Sequence, residues 1–187
     1  MDLFDAPGPK LLKRAVFARY DRLRVLTPVG RNGWEAVIGV QPGDYERLAG
    51  GLEKVVAIAK ARGLKAHYHP HLSTIVEGPA EVDRIFGLTS IDFCPDTAHL
   101  AAAGGDVPAM IRKHRARISY VHLKGLRREP FAFTPLDEGD LDNAPVIKEL
   151  ADTDYKGWIL TELDAWADPK AGAARSLSFI KKTIAGA

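Results

Sequence analysis

Imidazole and carboxylate side chains recur in this sequence just after short β-rich runs. These residue types bind divalent cations and transfer protons. In a parallel α/β fold the carboxyl ends of the strands meet on one side, so polar groups from several strands converge there. The pattern therefore predicts a metal centre built from strand ends. Its motifs are Tyr68-His69-Pro70-His71, Asp96-Thr97-Ala98-His99, Tyr120-Val121-His122-Leu123-Lys124 and Thr161-Glu162-Leu163-Asp164.

An aspartate, a glutamate and one or two neutral imidazoles form a donor set that suits Mn²⁺, Zn²⁺, Co²⁺ or Mg²⁺. Three or four protein ligands would leave room for two adjacent oxygens of a hydroxy-ketone. The ion could then act as a Lewis acid and stabilise a developing enediolate. Proton transfer beside the carbonyl also needs a base within hydrogen-bond reach. The motifs therefore suit proton chemistry next to a carbonyl.

Length and composition predict one globular domain spanning residues 1–187. The chain has 187 residues, of which 46% are hydrophobic and 27% charged, with a net charge of +2. That balance gives no support to nucleic-acid binding. Cys94 is the only cysteine, so no intrachain disulfide is expected. The sequence shows neither a signal peptide at Met1–Asp5 nor an apolar run long enough for a membrane span, so a cytoplasmic protein is expected.

Strand and helix signals alternate along the chain, which is typical of a parallel sheet with helices outside it. A doubly wound open sheet is also possible, but polar groups at several strand ends favour a TIM (β/α)8-type barrel. About five β/α units are expected within residues 22–187, after a leading helix within residues 1–21. We predict strands at 23–28, 65–69, 90–94, 117–123 and 157–161, a loop at 30–43, and helices at 9–20, 44–62, 79–86, 107–113, 145–150 and 170–184.

The stretch from Arg22 to Ile184 resembles the xylose isomerase-like TIM barrels. That superfamily contains sugar and sugar-phosphate isomerases and epimerases, inosose dehydratases and apurinic endonucleases, and the resemblance is strongest to the isomerase/epimerase and inosose dehydratase branch. The phrases that carry it are the four motifs above, Gly63-Leu64, Gly104-Gly105-Asp106 and Asp154-Tyr155-Lys156-Gly157-Trp158.

The resemblance implies one divalent metal held at four strand ends. The ligands carried over from the family are His69, Asp96, His122 and Glu162. His69 stands where the family often has glutamate, so either His69 or His71 could be the ligand. Asp96 could instead cap the turn that follows it.

The same motifs suggest roles toward the substrate. Glu162 is expected to act as a catalytic base as well as a ligand, and His71 or His99 as a second acid or base. His71, His99 and Lys124 are expected to contact the substrate, with Lys124 acting as a point charge on its oxygens or a phosphate. Asp164 is either a supporting group or part of a surface turn.

Two departures from the family fall at the expected rim of the site. Gly125 replaces an aspartate, and Asp137-Glu138-Gly139 replaces a Gly-x-Gly. A complete barrel has eight strands and about 250 residues, and the first strand here resembles the family's fourth. The chain therefore reads as strands four to eight of an incomplete barrel. It could be a piece of a longer sequence, be completed by a second chain, or be a partial barrel with open edges.

The function expected from these features is a divalent-metal-dependent sugar or sugar-phosphate isomerase or epimerase. The alternatives are an inosose (keto-inositol) dehydratase and a non-catalytic remnant of the barrel. An endonuclease would need more metal ligands and a basic cleft. The expected partners are a small sugar or polyol ketone and either a second copy or a complementing chain, with no nucleic acid or membrane.

Overall fold

The computed structural model describes residues 24–29, 33–38 and 42–186, the first two ranges as backbone only. The leading helix predicted at Pro9–Tyr20 lies outside these residues. The strands are β1 (Arg24–Val29), β2 (Gly33–Ile38), β3 (His67–Tyr68), β4 (Asp92–Phe93), β5 (Tyr120–Leu123), β6 (Gly125–Arg127), β7 (Ala132–Thr134) and β8 (Trp158–Thr161). The α-helices are α1 (Asp44–Lys60), α2 (Pro79–Leu88), α3 (Thr97–Ala102), α4 (Val107–His114), α5 (Ala144–Asp152) and α6 (Pro169–Ala185).

Four parallel strands form the row that positions the candidate site. Strand β3 pairs with β4, and β5 pairs with β8. Parallel bridges from Phe93 to Ile118 and from Asp96 to His122 join the two pairs. The spatial order is therefore β3-β4-β5-β8, with helices in the connections, as in one part of a parallel α/β barrel.

The predicted first barrel strand is wrong in its pairing. Strand β1 covers the expected residues, but it pairs antiparallel with β2, which lies in the stretch predicted to be a loop. The run Trp34 to Ile38 is β-rich, and Asn32-Gly33 is typical of tight turns between antiparallel strands. Its glycines were taken as loop signals. The described residues thus contain four parallel strands rather than five, and the assignment to strands four to eight is not confirmed.

Two further elements were absent from the sequence-based prediction. Helix α3 begins at Thr97, directly after Asp96, and the β6–β7 hairpin follows β5. The alternation Phe131-Ala132-Phe133-Thr134 carried the strand signal for the hairpin. Both elements lie beside the candidate site.

The core lies between the parallel strands and the helices. Val82, Ile85, Phe93, Leu100 and Val121 are fully shielded from solvent in one apolar cluster. None of the helices in the described part of the chain is long and apolar enough to cross a membrane. The helices thus pack against one face of the parallel row, and the polar residues lie at the ends of its strands.

Candidate metal centre

His69 follows β3 directly and presents its imidazole to the neighbouring strand end. Its Nε2 lies 3.4 Å from Oδ2 of Asp96, and 23% of the side chain is exposed. Its ring centroid is 4.8 Å from that of His122. His69 therefore lies among the other predicted ligands.

Asp96 uses its two carboxylate oxygens for different purposes. Oδ1 accepts hydrogen bonds from the backbone N–H groups of Ala98 (2.9 Å) and His99 (3.0 Å), and so caps α3. Oδ2 faces His69 instead. The capping role considered in the sequence is correct, and it is compatible with a ligand role because it occupies the other oxygen.

His122 and Glu162 meet across neighbouring strands. The His122 N–H donates to the carbonyl of Pro95 at 2.9 Å, and the Glu162 N–H donates to the carbonyl of Leu123 at 3.1 Å. These bonds continue the parallel ladder beyond β4 and β8, so both side chains reach the same end of the row. His122 Nδ1 and Glu162 Oε2 lie in contact, although neither makes a hydrogen bond of acceptable geometry among the described residues.

The four predicted ligands form one cluster. One ligand atom from each of His69, Asp96, His122 and Glu162 lies within 4.8 Å of the others. Two buried polar atoms without hydrogen-bond partners are costly unless another group satisfies them. Two imidazole nitrogens and two carboxylate oxygens are a donor set that a divalent ion would satisfy. The residues present therefore fit a metal ion.

Lys124 lies beneath this cluster, with its side chain fully buried. Its Nζ donates to Oε1 of Glu162 at 3.0 Å and to Asp164 at 3.1 and 3.2 Å. It also lies 3.5 Å from Oδ2 of Asp96. The ammonium is therefore surrounded by three carboxylates, and a role in binding the substrate stays a prediction.

His99 and His71 lie in ring contact beside the cluster, with centroids 3.8 Å apart and planes tilted by 40°. His99 is 1% exposed, and its two nitrogens face the Leu72 N–H and the Lys124 ammonium. His71 is exposed, and its Nδ1 lies 2.8 Å from the carbonyl oxygen of Leu72. A carbonyl oxygen only accepts, so Nδ1 carries the proton and Nε2 of a neutral His71 keeps a lone pair.

Electrostatics keep the carboxylates charged and the buried imidazoles neutral. Burial alone would raise the pKa of Asp96, but the His69 hydrogen bond and the Lys124 charge outweigh it and lower the pKa to about 2. Burial likewise opposes ionisation of Glu162, yet its hydrogen bond to Lys124 lowers the pKa. Burial lowers the pKa of His99 to about 3 and also lowers that of His122. Neutral imidazoles and ionised carboxylates are the protonation states that metal binding requires.

Phe133 and Asp164 support the site from outside the cluster. The Lys124 ammonium lies 4.5 Å from the centroid of the Phe133 ring, which also contacts His99 edge to face. Phe133 was missed because its hairpin was not predicted. Asp164 lies two residues after Glu162, in the bend that follows β8, and the sequence left its role open between a supporting group and a surface turn.

The two expected rim departures have structural explanations. A Cβ on Gly125 would lie 2.4 Å from Thr134 Oγ1 and 2.5 Å from the Pro135 carbonyl oxygen, so the hairpin leaves no room for a side chain there. Asp137 and Glu138 each form an ion pair with Arg175 at 3.0 Å. Gly125 therefore allows the hairpin to pack closely, and the two ion pairs connect the segment after the hairpin to α6.

Comparison with known proteins supports the family resemblance seen in the sequence. The xylose isomerase-like TIM barrel family model matches residues 15–183. An inosose dehydratase of Clostridium perfringens is 32% identical in an alignment of 162 positions that covers 74% of this chain and 54% of that protein. An inosose dehydratase of Clostridium tetani is 32% identical over 76% of this chain and 55% of its own length.

The fold also matches solved structures. An L-ribulose 3-epimerase superposes with a TM-score of 0.67 at 22% identity, over 80% of this chain and 57% of that one. The chain thus spans about half the length of the relatives it matches. The family model matches most of the chain, and the parallel row with its converging strand ends is the arrangement expected for part of such a barrel. This chain belongs to the xylose isomerase-like TIM barrel family.

Proposed function

We propose that this chain carries the metal centre of a divalent-metal-dependent enzyme that acts next to the carbonyl of a sugar or polyol ketone. The observation that carries the proposal is the cluster of His69, Asp96, His122 and Glu162, whose ligand atoms lie within 4.8 Å of one another. A divalent ion held there would polarise a carbonyl and an adjacent hydroxyl as a Lewis acid. The same four residues are the ligands that the family resemblance implies.

Within this class, dehydration of a keto-inositol is the reaction that the chain supports best. The relatives at 30–32% identity are named inosose dehydratases, whereas the epimerases share the fold at lower identity. His69 also stands where the family often has glutamate, which weakens a mechanism that needs two facing glutamates. An imidazole beside one glutamate suits the loss of water equally well.

In this reaction His71 and Glu162 are the groups that move protons. One of them takes the proton from the carbon next to the carbonyl. The bond to the hydroxyl on the following carbon breaks, and that oxygen leaves as water after receiving a proton. His71 Nε2 has the lone pair that the first step requires, and once protonated it can return the proton to the leaving group.

A sugar isomerase or epimerase is the second candidate, favoured by the fold likeness to the L-ribulose 3-epimerase. Its first step, removal of the proton next to the carbonyl, is the same, but the step that follows is different. No hydroxyl leaves, and the proton is delivered to a carbon of the substrate. Turnover of keto-inositol monitored by ultraviolet absorbance of the enone product would separate the two, because an epimerase produces no new carbon–carbon double bond.

Elemental analysis of the purified chain, with thermal melting before and after chelation, tests the metal centre. We expect about one Mn, Zn, Co or Mg per chain and a melt that chelation lowers, because a ligand that binds only the folded state stabilises it. Glu162→Gln and His122→Ala should each lose the metal without unfolding the chain. Full metal content in both variants would refute the site, and absence of metal from the wild type would favour a non-catalytic remnant.

A further inference from the structure

Lys124 is a fully enclosed charge beside the metal centre, and its backbone is fixed as firmly as its side chain. The Lys124 N–H donates to Oγ1 of Thr97 at 2.9 Å, and the same hydroxyl donates back to the Lys124 carbonyl at 2.9 Å. The Asn143 amide donates to that carbonyl at 3.2 Å. Thr97 directly follows Asp96, so the start of α3 and the end of β5 are tied together.

The ammonium has three N–H donors, and protein groups take them all. Glu162 and Asp164 accept two, and the third points to the side where His99 and Asp96 lie at 3.3 and 3.5 Å. With no exposed surface, the group has neither a free donor nor an open path to a substrate oxygen. A point charge that binds a sugar or phosphate would need both.

In each of the two carboxylate ligands, the hydrogen bonds give the two oxygens different partners. Glu162 gives Oε1 to Lys124 and leaves Oε2 beside His122. Asp96 gives Oδ1 to the first N–H groups of α3 and leaves Oδ2 beside His69. Each carboxylate thus has one oxygen anchored by the protein and one directed into the cluster.

We infer that Lys124 is a positioning residue for the metal centre, which anchors Oε1 of Glu162 so that Oε2 faces the cluster. Asp164 completes the arrangement by accepting a hydrogen bond from the same ammonium. This inference rests on the proposed metal centre, and it replaces the expected contact between Lys124 and the substrate. Partners that orient metal ligands in this way typically change metal affinity 10- to 100-fold when removed.

Lysine accessibility tests the placement without any metal. The chelated, folded protein is treated with an acetylating reagent, and modified lysines are quantified by mass spectrometry. We expect Lys65 and Lys156, which are 70% and 77% exposed, to react readily. Lys124 should react only after unfolding. Acetylation of Lys124 as fast as Lys65 in the folded protein would overturn the inference.

Mn²⁺ affinity measured by titration calorimetry tests the role. Lys124→Met, which keeps the length of the side chain but not the charge, should weaken Mn²⁺ binding about 10- to 100-fold. Asp164→Asn should weaken it less, and Lys65→Met is the control that should leave it unchanged. Wild-type affinity in Lys124→Met would overturn the inference. If the wild type itself binds no Mn²⁺, the proposed function fails, whereas the acetylation result still decides where Lys124 lies. If Lys124→Met does not fold, the acetylation result on the wild type likewise decides where Lys124 lies.

Discussion

The rings of His71 and His99 lie in contact, with centroids 3.8 Å apart and planes tilted by 40°, and the two imidazoles differ in almost every other respect. His99 is buried between protein groups, whereas His71 is exposed at the mouth of the site. The contact with His99 holds the His71 ring in place, and the Leu72 carbonyl selects its tautomer. An exposed imidazole with a fixed orientation and a free lone pair is suited to general base catalysis.

This arrangement predicts different outcomes for the two histidines that follow β3. His71→Ala should keep the metal and lower kcat about 100-fold or more, the usual range for loss of a general base. His69→Ala should lose the metal, because His69 Nε2 belongs to the cluster. Metal content and keto-inositol turnover, measured together, check the pair. Loss of metal in His71→Ala alone would exchange the two roles.

Burial of His99 predicts that stability depends on pH. Its pKa is lowered to about 3 in the folded protein, whereas an unfolded histidine titrates near 6.5. As pH falls from about 6.5 toward 3, the unfolded chain gains a proton that the folded chain does not. The free energy of unfolding should therefore be highest above about pH 6.5 and fall by up to about 1.4 kcal/mol per pH unit below it.

Urea unfolding in chelator at about pH 7 and about pH 5 measures this slope away from the lower range in which Asp96 titrates. His67 and His122 also have pKa values lowered by burial and add to the wild-type slope. The comparison that isolates His99 is therefore the wild type against His99→Gln. The variant should show a shallower decline, and parallel declines would mean that His99 is not held neutral.

Much of the candidate site could be predicted because the position of a residue at the end of a strand is a local property of the sequence. His122 lies near the end of β5 and the other three ligands follow a strand, and parallel strands place such positions at one edge. The contribution of Lys124 could not be predicted. Its environment depends on Phe133 from the hairpin and on Asp164 from the loop after β8, and no local pattern specifies that these groups meet.

The fold shows the same division between local and long-range information. Apart from α3, which was not predicted, the helices within the described residues match the prediction to within two residues, because amphipathic spacing and end signals such as Asp106 before α4 are encoded locally. The pairing of β1 was wrong because the direction of a partner strand is set by the turn between them. The glycines of this stretch make its sequence resemble a loop when it is judged by composition.

The close packing around Gly125 predicts that the family's usual aspartate cannot simply be restored. Gly125→Ala should lower the free energy of unfolding by about 1–3 kcal/mol, because its Cβ would overlap the hairpin backbone and Thr134. Gly51→Ala, in the middle of α1, is the matched control, since no atom lies within 4 Å of a Cβ there. That change should raise stability by about 0.5–1 kcal/mol. A stabilising Gly125→Ala would show that the hairpin yields easily.

The inner face of the parallel row predicts self-association. Trp158 and Leu160 alternate toward the same side as Glu162, and they are 76% and 41% exposed. In register they lie beside Tyr120 and His122 of β5, so they extend the face that carries the metal cluster. Among the described residues β8 has one strand neighbour, which leaves its other edge free to pair.

Light scattering at several protein concentrations should therefore detect a dimer or larger species. Trp158→Thr and Leu160→Thr keep β-forming residues on the strand while removing apolar surface. Burying one such side chain contributes about 1.5–3 kcal/mol, so each change should weaken association roughly 10- to 100-fold. Leu177→Gln on α6, where Leu177 is 50% exposed, is the control and should have no effect. A monomeric wild type with a cooperative melt would contradict the prediction, because the row would then be stable with its inner face and edge uncovered.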